Sequence, residues 1–325
     1  MFRTEVQVAP SGLALGLQDN VVTIGSCFAD VIGTKLQQHK VDVLVNPFGT
    51  IFNPVSVSLL LKAASGQPYD FEQHLVQNNG IWYAYDLHSS FSSPSKDDLI
   101  AQIQQRLQTT SEALQQASLL IITLGTALAY KLNTTGAVVA NCHKLPSKNF
   151  TRTLLSSEEI ILAFEDMYSL LKMINPQLRV LLTVSPVRHI KETIEMNSVS
   201  KSVLRVMCHQ LTQLHEDVLY FPAYEIMLDD LRDYRFYKHD MLHPTETAED
   251  YIWQKFIAAY YDKEFSQFTQ DWEKVQRALT HRAFHPASEA HQTFLRRALK
   301  QLQQLEQKYK ISTAAEAAQF KAQLQ

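Results

Sequence analysis

Glycine is scarce in this chain, nine in 325 residues. Neither Gly-x-Gly-x-x-Gly nor Gly-x-x-x-x-Gly-Lys-Ser/Thr occurs, so the backbone cradles that hold dinucleotide or mononucleotide phosphates are missing. The three cysteines, Cys27, Cys142 and Cys208, are too few for a disulfide framework and fit reduced thiols in a reducing compartment. An excess of one charge is absent too. Thirty basic against 33 acidic side chains leave a net −3, which gives no electrostatic case for nucleic-acid binding. No apolar run approaches the ~20 residues needed to span a bilayer. The amino end, Met1-Phe2-Arg3-Thr4-Glu5-Val6, has no basic segment leading into an apolar stretch and a small-residue cleavage site. These absences predict a cytoplasmic protein with neither nucleic acid nor membrane as partner. What the chain does contain, 46% apolar and 10% aromatic side chains, is ample for a packed core. Its length favours one large domain with an appendage.

Strand and helix patterns alternate from residue 20 to about 262. Val21 to Ile24, Val41 to Val45, Ser118 to Leu124, Arg179 to Val184 and Val218 to Phe221 read as strands. The third is apolar on both faces, as a central parallel strand must be. Helices are expected over Asp30 to His39, Val55 to Ala64, Ser95 to Gln116, Ser157 to Met173, Asn197 to Glu216 and Thr245 to Tyr260. Asn53 and Pro54 supply an N-cap and a first helical residue for the second of these. Two hairpin inserts interrupt the alternation, at 69–91 around Asn78-Asn79-Gly80 and at 125–141 around Asn133-Thr134-Thr135-Gly136. The pattern implies an α/β domain over residues 1 to 262, with right-handed crossovers and a parallel sheet covered on both faces. Residues 263 to 325 then form a helical appendage. Its stripe of Leu295, Leu299, Leu302 and Leu305 is expected to pack on the main domain or to join a second copy in a homo-oligomer.

Ligands of an open parallel sheet sit beyond the carboxyl ends of its strands. The chemistry-bearing segments follow such ends: Gly25-Ser26, Asn46 to Gly49, Gly125-Thr126 and Ser185-Pro186-Val187-Arg188-His189. Asp240-Met241-Leu242-His243-Pro244 precedes the last helix of the domain and can reach the same edge. Ser26 reads either as a helix N-cap or as a nucleophile beside unpaired N–H groups. The Asp-x-x-His spacing lets a carboxylate hold Nδ1–H of an imidazole while Nε2 accepts a serine proton.

Gly25-Ser26-Cys27-Phe28-Ala29 resembles the signature of the GSCFA family, as do Leu124-Gly125-Thr126-Ala127, Asn141-Cys142-His143-Lys144, Ser185 to His189 and Asp240 to Pro244. That family is similar to the SGNH (GDSL-like) hydrolases. The resemblance runs from about Ile24 to Phe256 and implies a three-layer, flavodoxin-like fold. By position it makes Ser26 the nucleophile, His243 the general base and Asp240 its orienter. It also makes the Ser26 and Gly49 N–H groups oxyanion donors. The chain departs from the pattern at Gly125-Thr126-Ala127, which lacks the asparagine of Gly-x-Asn. Losing one such donor costs ~10²–10³ in rate, so Thr126 or Asn141 is expected to replace it.

The function implied is an esterase that acts on O-acyl esters, in particular an acylated carbohydrate, with no cofactor and no metal. Three rivals stand beside it: an acyltransferase, a binding protein without turnover, and a zinc hydrolase using His239 and His243. Pro244 disfavours the continuous helix that the last one needs. Cys27 could replace Ser26 as nucleophile if its thiol were activated, although buried packing is the common state of such a residue. Cys142-His143 is half a metal motif with no second half. Arg188 and His189, and the run Arg232 to Arg235, are candidates for an anionic substrate group or for internal pairing.

Overall fold

The computed structural model describes residues 4–324. Met1, Phe2 and Arg3 of the amino-end segment therefore lie outside the described residues, as does Gln325 at the carboxyl end. Strand β1 (Val21–Gly25) pairs in parallel with β2 (Val43–Val45) on one side, after α1 (Cys27–Gln38) has crossed over. Helix α2 (Pro54–Ala64) begins at the Asn53 cap, whose side chain accepts the Ser56 N–H. A small antiparallel sheet follows, made of β3 (Leu75–Asn78), β4 (Ile81–Ala84) and β5 (Ser92–Ser93). Its turn is Asn79-Gly80, both at positive φ (51° and 79°), which is what a two-residue hairpin turn of matching twist demands.

Helix α3 (Lys96–Gln116) leads into the central strand β6 (Leu119–Leu124), all six residues of which are buried. The second insert is also a three-stranded sheet: β7 (Leu128–Leu132) is flanked by β8 (Val138–Val139) and by β9 (Phe150–Leu154). Then come α4 (Ser157–Ile174), β10 (Arg179–Val184), α5 (Ile194–Leu214) and β11 (Val218–Phe221). A short turn, α6 (Ala223–Glu225), runs into a π-helical segment at Ile226–Asp230. Helix α7 (Glu246–Tyr260) closes the domain.

The main sheet runs β11-β10-β6-β1-β2 with every pair parallel. Numbered within that sheet alone, the order is the 2-1-3-4-5 of a flavodoxin-like doubly wound fold. Alternate strand residues feed two cores. Val22, Ile24, Leu120, Ile122, Val180, Leu182 and Val184 join α2, α3, α4 and α5 on one face. Val21, Leu119, Ile121 and Leu181 join α1 and α7 on the other.

The appendage comprises α8 (Lys263–Thr280), α9 (Glu289–Tyr309) and α10 (Ala314–Lys321). Phe265, Phe268, Trp272, Leu295, Leu302 and Leu305 belong to the same buried cluster as Phe28 and Trp253, and Leu299 packs against it. Trp272 Nε1 donates to Gln38 O at 2.7 Å, pinning α8 to the end of α1. The leucine stripe is thus covered by this chain's own core. No helix among the described residues is long and apolar enough to cross a membrane.

Candidate active site

The end of β1 is built around Gly25. Its φ is +132°, and a Cβ there would stand 2.1 Å from Thr123 O on the neighbouring strand β6. Only glycine lets the chain turn out of the sheet at that point and still donate the next N–H, Ser26 N to Thr123 O at 2.9 Å. The Gly25 N–H goes to Asn46 Oδ1 at 2.9 Å, and Asn46 Nδ2 donates to Asp30 Oδ1 at 2.7 Å. Asn46, in the segment after β2, therefore ties the strand end to the first turn of α1.

Ser26 is the N-cap of α1. Its Oγ accepts the Phe28 N–H at 3.3 Å, a bond that does not use the hydroxyl's own proton. The side chain is 1% exposed. Cys27 starts the helix. Burial first and the Asp30 carboxylate second push its thiol up, while its own N–H, Lys201 and the Phe28 N–H pull the other way. The thiol is therefore the protonated, weakly nucleophilic form at neutral pH, and the hydroxyl is the better candidate.

Asp240 and His243 are brought together. His243 Nδ1 lies 2.6 Å from Asp240 Oδ2, while Asp240 Oδ1 accepts the N–H groups of Leu242 (2.8 Å) and His243 (3.0 Å). Those two N–H groups, then the imidazole, hold the Asp240 carboxyl well below the usual carboxylate range. Met241, at φ +58°, makes the tight loop that lets one carboxylate serve all three donors. The loop is fastened to the segment after β10, since Arg188 N donates to Leu242 O and Arg188 Nη1 to Met241 O, both at 3.2 Å. Arg188 also lies over the ring of Tyr237 at 4.0 Å and of Tyr234 at 5.2 Å. Its guanidinium thus braces the Asp–His loop. A cavity of about 150 Å³, lined by Arg188, Met227, Leu231, Tyr234 and Tyr237 among others, adjoins it. Among the described residues, no hydrogen bond joins Ser26 to His243.

The expected oxyanion donors are otherwise engaged. Besides the Ser26 N–H bond to Thr123, Gly49 N–H donates to Asn46 O at 2.8 Å in a turn. Gly49 has φ +72°, and a Cβ there would meet His88 Cβ at 2.4 Å. Thr126 Oγ1 shares a hydrogen bond with Ser200 Oγ (2.8 Å) and accepts Leu128 N–H. Asn141 Nδ2 donates to Ser89 Oγ at 3.1 Å, and its Oδ1 accepts the His143 N–H. Neither side chain expected to replace the missing asparagine bonds to Ser26.

The metal readings gain no partners. Among the described residues no group of three or more His, Cys, Asp or Glu could hold an ion. His143 Nε2 bonds to Ala84 O at 2.7 Å and its ring stacks on Tyr83 at 4.8 Å, so it packs as core.

Sequence reasoning did not single out three residues that line up on α5. Asn197, Ser200 and Lys201 are buried at i, i+3 and i+4, continuing the stripe of Leu204, Met207, Cys208 and Leu211. Asn197 Oδ1 accepts His189 N–H (2.8 Å), Ser200 Oγ accepts Ala127 N–H (2.7 Å), and Lys201 Nζ donates to Gly125 O (2.8 Å) and Ser185 O (2.7 Å). Together they hold the two turns beyond β6 and β10. The available signal was a polar patch prolonging an apolar helical face.

Residues 20–256 match the GSCFA family, and residues 272–325 match the GSCFA domain protein C-terminal domain. No curated protein matches the chain. Among solved structures, the chain is similar to a Streptococcus pneumonia protein provisionally described as a platelet activating factor (11% identity, 77% of this chain and 87% of that one, TM-score 0.39). It is also similar to an acetyl esterase mutant with acetate ion (9%, 79% and 100%, TM-score 0.37). A third is a carbohydrate esterase family 3 protein from Talaromyces cellulolyticus (9%, 78% and 99%, TM-score 0.36).

Proposed function

The chain belongs to the GSCFA family, and we propose that it is a serine-dependent hydrolase of O-acyl esters, with an acylated carbohydrate as the substrate class. The observation that carries the proposal is the imidazole held at Nδ1 by Asp240 Oδ2 at 2.6 Å, in a loop bonded to the turn after β10. An Asp⁻ on Nδ1–H fixes the tautomer in which Nε2 is the proton acceptor. In the proposed reaction Ser26 Oγ attacks the acyl carbonyl as its proton passes to His243 Nε2. The tetrahedral oxyanion collapses, His243 returns the proton to the leaving alcohol, and the acyl group stays on Ser26. Water, deprotonated by His243, then releases the acid and regenerates the hydroxyl. The partial positive charge at the α1 N-terminus favours the developing oxyanion.

A second reading, a ligand-binding protein on the same fold, is favoured by one observation: the Ser26 and Gly49 N–H groups are both committed to carbonyls. Turnover of p-nitrophenyl acetate and of acetylated xylose separates the two. The esterase reading expects Ser26→Ala to lose at least ~10³ in kcat, with Cys27→Ala close to wild type. Equal turnover by wild type and Ser26→Ala would abandon it.

A further inference from the structure

Lys201 is an expensive residue where it stands. Its side chain is 1% exposed and, among the described residues, no carboxylate pairs with it. A buried ammonium without a counter-ion costs several kcal/mol, and a Met or Leu on the α5 stripe would avoid that cost. What the ammonium does is specific. Two of its N–H groups go to Gly125 O and Ser185 O, the first residues beyond β6 and β10. Gly125 opens the block that lacks the expected asparagine, and Ser185 opens the segment whose Arg188 holds the Asp240–His243 loop. Gly125 lies two residues beyond Thr123, the β6 residue that accepts the Ser26 N–H and ends the pairing with β1.

We propose that Lys201 is the positioning residue that takes over from the missing asparagine: its buried ammonium draws the turns after β6 and β10 together and offsets the Asp30 carboxylate at the end of β1, where the Ser26 oxyanion forms. The inference rests on Ser26 being the nucleophile. The charged or titratable groups facing Lys201 are Cys27 on α1, whose thiol the ammonium pulls down, and His189 after β10, whose imidazole burial and then Lys201 push down. Tyr224 on α6 offers its ring at 5.7 Å. None of these three is a standing negative charge, but Asp30 in the first turn of α1 is one: it raises the Cys27 thiol more than Lys201 lowers it, and the ammonium offsets that charge. Burial pushes the ammonium itself down to about 7. The sign follows: below that pH the ammonium is charged and the offset is present, and above it the neutral amine keeps its two hydrogen bonds but loses the offset.

The test is the pH dependence of kcat/KM for p-nitrophenyl acetate from pH 5 to 10, in wild type, Lys201→Met and Lys201→Arg. Wild type is expected to show an alkaline decline near pH 7–8. Lys201→Met should lose ~10² in kcat with KM nearly unchanged, and lose the alkaline decline. Lys201→Arg keeps a charge that does not titrate, so it should retain more activity and also lack the decline. A folded Lys201→Met with unchanged kcat overturns the inference, as does an alkaline decline that survives unchanged in Lys201→Met or Lys201→Arg. If wild type shows no Ser26-dependent turnover at any pH, it is the esterase reading that fails, and the two failures are distinct.

Discussion

Replacing Gly25 by alanine places a methyl carbon where the sheet has no room. At φ +132° the left-handed strain alone costs about 1–3 kcal/mol for a residue with a Cβ. The new Cβ would stand 2.1 Å from Thr123 O, 2.8 Å from Thr123 C and 3.0 Å from Thr123 N, all backbone atoms of the central strand. Strands β1 and β6 must therefore separate by roughly 1 Å at their carboxyl ends, an overpacking cost of about 1–3 kcal/mol. The Ser26 N–H bond to Thr123 O, now 2.9 Å, is lost for another 0.5–1.5 kcal/mol or so. The sum is about 2.5–7.5 kcal/mol. With an unfolding entropy near 2.1 cal/mol/K per residue, a chain of this length should melt about 4–11 °C lower. The control is Gly136→Ala, where φ is +72° but nothing lies within 4 Å of the added carbon. Backbone strain without a clash should cost it only ~1–3 °C. Thermal unfolding followed by circular dichroism reads both. Should Gly25→Ala melt together with Gly136→Ala, the close approach of β1 and β6 does not govern this turn.

Asp240→Asn keeps an oxygen for the Leu242 and His243 N–H groups but turns an amide N–H toward Nδ1, which reverses the imidazole tautomer. Ester turnover should fall by ~10³–10⁴ at neutral pH while the melting temperature stays within a degree or two of wild type; undiminished turnover would remove Asp240 from the mechanism. Trp272→Ala empties a side chain that is 1% exposed and deletes the bond to Gln38 O. That should cost about 3–5 kcal/mol and lower the melting of the whole chain. A separate early transition with an unshifted main one would show that α8 to α10 do not share the core of the sheet domain.

Much of the sheet could be read from the sequence because burial on both faces leaves an unbroken apolar run. Arg179–Val184 and Val218–Phe221 appear in the structure with the bounds their patterns suggest. Strand β9 could not be read that way. Its Phe-Thr-Arg-Thr-Leu pattern lies in a small outlying sheet and becomes a strand only through pairing with β7. The beginning of α1 was legible from Ser26 as cap, yet the helix starts at Cys27, three residues before the first strong periodic signal. The site divides in the same manner. Asp240 and His243 are three residues apart, so a single tight loop decides their contact. Whether Asn141 reaches Ser26 or Ser89 depends on how two hairpin inserts pack, which no local pattern encodes. Lys201 was hidden for a simpler reason: a lysine in a helix ordinarily extends into water, and its burial here follows from two carbonyls supplied by distant turns.

The most direct test of the central claim is covalent. Incubation with a fluorophosphonate, followed by proteolysis and mass spectrometry of the adduct, asks which side chain acts as the nucleophile. The account predicts a single phosphonyl group on Ser26, lost in Ser26→Ala and strongly slowed in His243→Ala. A label on Cys27 or elsewhere, or none on a folded wild-type protein that an acetyl ester also leaves untouched, would contradict it.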